Sequence, residues 1–283
     1  MKKTIAVLLV AIALHALRSR TDGPRPPLRF ATFNIENYPK NDRQVDAAFR
    51  EIAALGASFV AVQEIVDPEL FARTAQVELG LTWELVHAST APRGEERRLM
   101  VQHLGVLFDR AAWTLASTAV HDGTRLEQGR YKPVLEVRLA PRGGGDVVRV
   151  LVVHLKAGGD DRAIRARQYA ALAAIVRAAR SSGERVVVLG DFNATDDAGD
   201  RDDLAALAAR TDLRWLTESL ACSAFWDRAD GCFRSRLDHI LASEPAREVT
   251  ATGACATSGC AMEPSCPRYI DDVSDHCPVV AEL

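Results

Sequence analysis

The chain has 283 residues, of which 48% are hydrophobic and 26% are charged, and its formal net charge at pH 7 is −3. This balance is typical of a globular protein with a sizeable core, and the lack of a repeat at about 20 to 50 residues excludes a solenoid. Because the net charge is negative, the overall electrostatic field of the protein does not attract nucleic acid or anionic membranes. Phosphate binding therefore requires a local basic patch.

The N-terminal residues predict a secretory signal. Lys2 and Lys3 precede an apolar stretch from Ile5 to Leu14, which is too short to span a bilayer, and small residues follow it. We expect residues 1–16 to form the signal and residues 17–27 a linker, with an earlier cleavage point and a buried N-terminal helix as alternatives. Such a signal directs the mature protein to the periplasm or out of the cell.

Strand and helix patterns alternate unevenly along the rest of the chain. We predict a strand over 28–37, a helix over 42–56, a strand over 58–65 and a helix over 68–80. Four strand-like runs follow, over 82–89, 103–109, 113–120 and 132–140. The second half adds a strand over 147–159, a helix over 162–180, strands over 185–193 and 237–243, and a C-terminal strand. This order predicts two packed sheets with helices on their outer faces, in a single domain over 28–283.

The cysteines lie in the C-terminal part of the domain. There are six of them, Cys222, Cys232, Cys255, Cys260, Cys266 and Cys277. An even number behind a secretory signal predicts three disulfides, whereas the lack of a C-x-x-C pair disfavours a zinc site. We expect Cys222 to pair with Cys232, because the two flank a short turn-rich segment, and Cys277 to tie the last strand to the Cys-rich part.

Polar residues stand near the ends of several predicted buried strands. They are Asn34, Glu64, His154, Lys156, Asp191 and Asn193. Buried carboxylate, carboxamide and imidazole groups are costly unless they pair or bind something. Open sheets place their ligand sites at such strand ends, so we expect these side chains to converge on one pocket. The competing interpretations are a core histidine at position 154 and a simple capping residue at position 191.

Six motifs occur in an order that resembles a known family. They are TFNIEN, VQEI, VVHLKAGG, LGDFNAT, SRLDHILAS and SDHCPVV, and together they span most of residues 28–283. They are similar to the endonuclease/exonuclease/phosphatase superfamily, also called deoxyribonuclease I-like, here as a secreted bacterial member. The resemblance implies an α/β fold, a four-layered α/β/β/α sandwich with two packed mixed β-sheets. It also implies divalent-metal-dependent cleavage of phosphoester bonds.

The resemblance assigns roles to the residues of these motifs. Glu64 would be the principal metal ligand, with Asn34, Asp275 and Asp191 around the ion, and this oxygen-rich set suits Mg²⁺ or Mn²⁺, with Ca²⁺ as a structural ion. Asn193 would hydrogen-bond the phosphate or the nucleophile. His154 and His276 would be the acid–base pair, with His276 as the base and Asp238 orienting its ring.

Several further positions are less closely matched. The family's orienting acid for His154 corresponds to Gln102, whose amide can still accept a hydrogen bond. Arg130, Lys132 and Lys156 are predicted phosphate contacts, with a solvated surface role as the alternative for the first two. Arg165 and Gln168 suit a structural ion pair at least as well as a substrate contact.

The substrate is the least determined feature. A secreted metal-dependent nuclease with nucleic acid as its substrate is favoured, with basic residues at 93–98, Arg125, Arg130 and Arg162 lining a groove. No ladder of aromatic residues for stacking single strands is evident. A phospholipid or sphingolipid head-group phosphodiesterase, an inositol or sugar phosphatase, and a non-catalytic binding module remain open. We expect a monomer without a stable membrane anchor.

Overall fold

A computed structural model describes residues 28–91, 101–125 and 132–283. The predicted signal at 1–16, the linker at 17–27, the basic segment 93–98 and Arg130 lie outside the described residues. Among the described residues, no helix is long and apolar enough to cross a membrane.

Two six-stranded mixed sheets form the centre of the fold. The first has the order β13-β14-β1-β2-β4-β3, with β1 (Arg29–Tyr38), β2 (Phe59–Ile65), β3 (Trp83–Ser89), β4 (His103–Asp109), β13 (Glu248–Ala251) and β14 (Val279–Glu282). The second has the order β5-β6-β7-β8-β12-β9, with β5 (Trp113–His121), β6 (Val134–Pro141), β7 (Val148–His154), β8 (Arg185–Asp191), β9 (Arg214–Trp215) and β12 (Asp238–Ala242). The pairs β1–β2 and β7–β8 are parallel, and the other pairs are antiparallel.

The two sheets pack face to face, and helices cover their outer faces. Phe30 and Phe59 stack at 5.2 Å between ring centroids inside a core that also contains Leu135 and Val152 of the second sheet. The helices are α1 (Asp42–Ala54), α2 (Pro68–Glu78), α3 (Arg162–Arg180), α4 (Ala198–Thr211), α5 (Gly253–Ser258) and α6 (Tyr269–Asp272). α1 and α2 pack on the first sheet, whereas α3 and α4 pack on the second. The predicted four-layered α/β/β/α sandwich is therefore confirmed.

Local signals explain where the elements begin and end. The side chain of Asn41 accepts a hydrogen bond from the amide of Gln44 and caps α1, while Asp67 caps α2 before Pro68. The strand predicted over 147–159 ends at His154, because the chain then turns into a short 3₁₀ helix, Gly159–Asp161. Helix α4 was not predicted, since its acidic first half conceals the apolar positions that it buries.

A hairpin and three disulfides complete the C-terminal part. The hairpin strands are β10 (Ala224–Arg228) and β11 (Gly231–Ser235). The disulfides are Cys222–Cys260, Cys232–Cys266 and Cys255–Cys277. The expected Cys222–Cys232 pair is wrong, because Asp227 is the residue that faces Cys232 across the hairpin and Cys222 precedes the paired stretch. Cys277 does tie the last strand to the Cys-rich part, as expected.

Candidate active site

Strand pairing aligns three polar residues at one edge of the second sheet. Asp191 ends β8 and is paired with His154 of parallel β7 on one side and with Asp238 of antiparallel β12 on the other. All three side chains are buried. The ends of apolar strands thus bring two carboxylates and an imidazole together.

The Asp191 carboxylate is held by two carboxamides. Its Oδ1 accepts a hydrogen bond from the backbone amide of Asn193 at 2.8 Å, and its Oδ2 accepts from Nδ2 of Asn193 at 3.1 Å and from Nδ2 of Asn34 at 3.0 Å. Asn193 also donates through Nδ2 to the carbonyl oxygen of Leu155 at 3.1 Å. Its amide hydrogens are therefore engaged, and a contact with phosphate requires that one of these bonds be exchanged.

Glu64 reaches the same point from the first sheet. Its backbone has φ 65°, and the pairing of β2 with β4 shifts register between Val62 and Ile65. A left-handed residue at a bulge re-aims its side chain, and such strain is typical of functional sites. Asn34 Nδ2 donates to Glu64 Oε1 at 3.2 Å, while its Oδ1 accepts from the Glu36 amide. Asn34 therefore bridges Glu64 and Asp191 and presents hydrogen rather than oxygen to them.

His276 lies opposite Glu64 and Asp191, and the carboxylate of Asp238 orients its ring. Its Nδ1 is 2.7 Å from Oδ2 of Asp238, and its Nε2 is 4.0 Å from Oδ2 of Asp191. Ser223 Oγ donates to the same Asp238 oxygen at 2.7 Å. Because Nδ1–H donates its hydrogen bond to this carboxylate, Nε2 is the ring nitrogen left to face the Asp191 side.

Burial and charge shift the pKa values of these groups strongly. Burial, only partly opposed by the nearby His276, raises the pKa of Asp191 to about 7. Burial by itself would lower the pKa of His276, but the carboxylates of Asp238, Asp275 and Asp191 raise it well above its usual value. Burial and the charges of Lys132 and His276 hold the pKa of His154 well below its usual range.

The donor set fits a divalent cation. One ligand atom from each of Glu64, His154 and Asp191 lies within 4.8 Å of the others. The raised pKa of Asp191 shows that burial outweighs the charge of His276, and a cation would supply further positive charge. Asp275 borders the set, with a carboxylate oxygen 4.0 Å from His276 Nε2 and a side chain that is partly exposed. The carboxylate oxygens of this set suit Mg²⁺ or Mn²⁺, which prefer oxygen ligands.

The expected phosphate contacts occupy different surroundings. Lys132 lies close enough to His154 for its charge to lower the imidazole pKa. Lys156 donates to the Asp161 carboxylate at 2.5 Å, so its ammonium is engaged by a neighbour on the following turn. Arg130 lies outside the described residues, and all three phosphate contacts stay predictions.

Two of the expected supporting residues act elsewhere. The Gln102 amide donates to Oδ1 of Asn37 at 2.8 Å, whereas Nδ1 of His154 has no hydrogen-bond partner among the described residues. The idea that Gln102 orients His154 is therefore not supported. Arg165 is fully buried in a bidentate ion pair with Asp200, which is the structural role that the sequence left open.

Three supporting residues were not identified from the sequence. Ser274 Oγ donates to the carbonyl oxygen of Asn34 at 2.8 Å and accepts from the His276 amide at 3.0 Å. Glu36 accepts from the amide of Asp275 at 2.9 Å, and Ser223 holds Asp238 as described above. Ser274 belongs to the SDH motif and was discernible from it. Glu36 likewise belongs to the TFNIEN motif, whereas Ser223 carries no comparable local signal.

Comparison with known proteins adds a sequence family and a set of similar folds. A model described as Endonuclease/Exonuclease/phosphatase family matches residues 31–276. The catalytic domain of human Nocturnin with a bound sulfate anion superposes with a TM-score of 0.66 at 18% identity, covering 91% of this chain and 94% of that chain. TDP2 from C. elegans gives a TM-score of 0.65 at 17% identity, with 96% and 79% covered.

D. rerio TDP2 complexed with a single-strand DNA product gives a TM-score of 0.61 at 13% identity, covering 90% of this chain and 98% of that chain. At these identities the structural likeness shows the fold. A search of curated proteins found no match.

Proposed function

The chain belongs to the endonuclease/exonuclease/phosphatase family, and from that premise we propose that it is a secreted divalent-metal-dependent phosphodiesterase that hydrolyses nucleic acid. The observation that carries this proposal is the meeting of Glu64, His154, Asp191 and the Asp238–His276 pair at the ends of strands from both sheets. Phosphodiester hydrolysis needs a site for a cation and a group that moves protons, and this arrangement supplies both.

Glu64 and Asp191 would hold the cation, with Asp275 and the imidazole of His154 at its border. When bound, Mg²⁺ or Mn²⁺ would neutralise the charge that grows on the phosphate oxygens. Asn34 keeps the two carboxylates at a fixed separation, because it donates to both of them. Like-charged groups would otherwise repel one another.

In its neutral form, which requires a pH above its raised pKa, His276 would accept the proton of the attacking water. Its Nδ1 is fixed by Asp238, so Nε2 is directed toward the carboxylate cluster. Lys132 lies close enough to His154 for its charge to lower the imidazole pKa, and the same charge would favour a phosphate bound nearby. His154 is close to neutral by virtue of its low pKa, so it would act through hydrogen bonding.

Export is part of the proposal. The N-terminal pattern of Lys2, Lys3 and an apolar stretch is typical of a signal, and three disulfides are typical of an oxidising compartment. We place the mature protein in the periplasm or outside the cell as a monomer. The complex of D. rerio TDP2 with single-strand DNA product supports nucleic acid as the substrate class.

The test is nicking of supercoiled plasmid DNA by the purified mature protein, with Mg²⁺, with Mn²⁺ and with chelator. We expect metal-dependent nicking that is lost in His276→Ala and in His154→Ala. His87→Ala, at an exposed position on β3, is the matched control and should retain full activity. A folded, metal-loaded protein that cleaves no nucleic acid would overturn the nuclease assignment and move the activity to lipid head-groups or small phosphoesters.

A further inference from the structure

The hairpin of β10 and β11 is attached directly to the segment that carries His276. The Phe225 amide donates to the carbonyl oxygen of Asp275 at 2.8 Å, and the Cys277 amide donates to the carbonyl oxygen of Ser223 at 2.7 Å. These two bonds bracket an antiparallel bridge between Ala224 and His276. Residues paired in this way have Cα atoms about 4.5 Å apart and side chains on the same face.

The bridge determines which hairpin residues face the same way as the imidazole. Side chains alternate along a strand, so Trp226 and Arg228 share the face of Ala224, and Phe233 joins them because it pairs with Trp226. Trp226 is two residues from Ala224, which places its Cα about 8 to 9 Å from that of His276. This separation is about two to three nucleotide steps along a DNA strand.

Trp226 is exposed although its neighbours on the opposite face of the hairpin are buried. Its side chain is 63% exposed, whereas Phe225 and Cys232 are buried. Among the large hydrophobic side chains that are exposed in the described residues, that of Trp226 is the only aromatic one. The guanidinium of Arg228 lies 5.8 Å from the centroid of the Trp226 ring and 4.9 Å from that of Phe233. An exposed ring beside a cation is thus held next to the site.

We propose that Trp226, Arg228 and Phe233 form a platform on which one base of a single-stranded or unpaired substrate stacks while a phosphate two to three nucleotide steps away lies at His276. The proposal rests on the nuclease function above and narrows its substrate class. Aromatic rings and guanidinium planes stack on the faces of all bases, but in a duplex those faces are covered by neighbouring pairs. The platform therefore selects unpaired strands or ends.

The chemistry of the hairpin tip favours a nucleic-acid strand over a lipid surface. Asp227, Arg228 and Asp230 surround the turn, and Arg228 lies 3.6 Å from the carboxylate of Asp230. A hairpin that enters a membrane presents an apolar tip, because charged groups are costly there. A single tryptophan with a cation over its ring suits a stacked base, whose phosphate then meets the guanidinium.

The test compares three substrates in the presence of Mg²⁺ or Mn²⁺: a single-stranded DNA of about 16 nucleotides, the same strand in a duplex, and an abasic strand of equal length. We expect Trp226→Ala to lower kcat/KM on the normal single strand by roughly 5- to 150-fold, with no change on the abasic strand. Trp226→Phe should keep most of the activity. Leu81→Ala, at a position that is 78% exposed and lies between α2 and β3, is the matched control.

Three outcomes would overturn the platform. If the wild-type protein cleaves single strands and Trp226→Ala does so equally well, the platform is wrong and the nuclease function stands. An equal loss on normal and abasic strands would show damage to the site rather than lost stacking. If the wild-type protein cleaves no nucleic acid but binds phosphatidylcholine vesicles through Trp226, both proposals fail and the hairpin is a membrane contact.

Discussion

Nδ1 of His276 lies 2.7 Å from Oδ2 of Asp238, and both side chains are buried where β12 begins and the C-terminal strand is about to start. The pair joins residues that are 38 positions apart in the chain. The carboxylate both fixes the tautomer of the ring and stabilises its protonated form.

Replacing Asp238 by Asn should impair turnover more than folding. Loss of the negative charge removes the strongest of the interactions that raise the pKa of His276, so we expect kcat to fall about 100-fold or more and the acidic limb of the pH–rate profile to move to lower pH. Ser223→Ala removes one hydrogen bond to the same oxygen and should have a smaller effect. A pH profile that does not move would contradict the orienting role.

Metal binding should be visible without any substrate. A cation at 100 times its dissociation constant stabilises the folded protein by about 3 kcal/mol, so Mg²⁺ or Mn²⁺ should raise the Tm and chelator should reverse the change. Glu64→Gln should abolish this rise because it removes a carboxylate of the cluster. Glu78→Gln, at an exposed position of α2, should respond like the wild type. An unchanged metal response in Glu64→Gln would exclude Glu64 as a ligand.

Removing the Cys255–Cys277 disulfide should affect both stability and activity. Its two cysteines are 22 positions apart, and a loop of that size corresponds to about 3 kcal/mol of stabilisation. Cys277 follows His276 directly, so the double replacement by Ala should also lower kcat. The same double replacement at Cys232 and Cys266 should cost stability but leave kcat on an abasic strand nearly unchanged. Equal kcat values in the two variants would show that the first bridge does not position His276.

His239 should make the protein less stable in acid. Burial, followed by the charge of Arg236, lowers the pKa of His239 to about 3, and its Nδ1 accepts a hydrogen bond from Trp215. Between about pH 3 and 6.5 the imidazole of His239 is protonated in the unfolded chain but neutral in the folded protein. The free energy of unfolding therefore rises with pH across this window. His239 changes the free energy of unfolding by about 1 kcal/mol for each pH unit in this window.

Chemical unfolding at pH 4 and at pH 7 measures this effect. His239→Gln should lose less stability than the wild type between these two values, although it is less stable at pH 7. A His239→Gln variant with the full acid loss would assign that loss to other groups.

The buried ion pair of Arg165 and Asp200 should contribute both to the stability of the fold and to the position of the active-site residues. Arg165 also donates to the carbonyl oxygens of Lys156 and Gly158, just after His154, while Asp200 accepts from Thr195, just after Asn193. Arg165→Met leaves a buried carboxylate unpaired and should cost about 3 to 5 kcal/mol.

Adding Asp200→Leu should restore much of that stability but not the activity, since the turns after β7 and β8 lose their anchor. Arg180→Met, which breaks an ion pair with the exposed Asp212, is the control and should change neither property. Full activity in the double variant would limit the pair to a structural role.

Much of the fold was predictable from local patterns. α3 has the bounds expected from its apolar spacing, and α1 and α2 begin where expected because Asn41 and Asp67 cap them. Helix α4 escaped prediction, since its acidic residues hide Leu204 and Leu207, which are buried only when β8 and β9 are in place. The disulfide pairs could not be predicted, because the nine residues between Cys222 and Cys232 do not reveal the register of the hairpin that they form.

The sequence by itself determined which chemical groups stand at the ends of the buried strands, because alternation, caps and short motifs are encoded within a few neighbouring residues. Only the tertiary structure decided how these groups meet. Asn34 contacts Asp191 across 157 positions, and Ser274 contacts Asn34 across 240. The left-handed backbone of Glu64 is maintained by the packing around it rather than by its own preference. Such contacts depend on how the two sheets pack together, and the free energy of this packing comes from residues far apart in the chain.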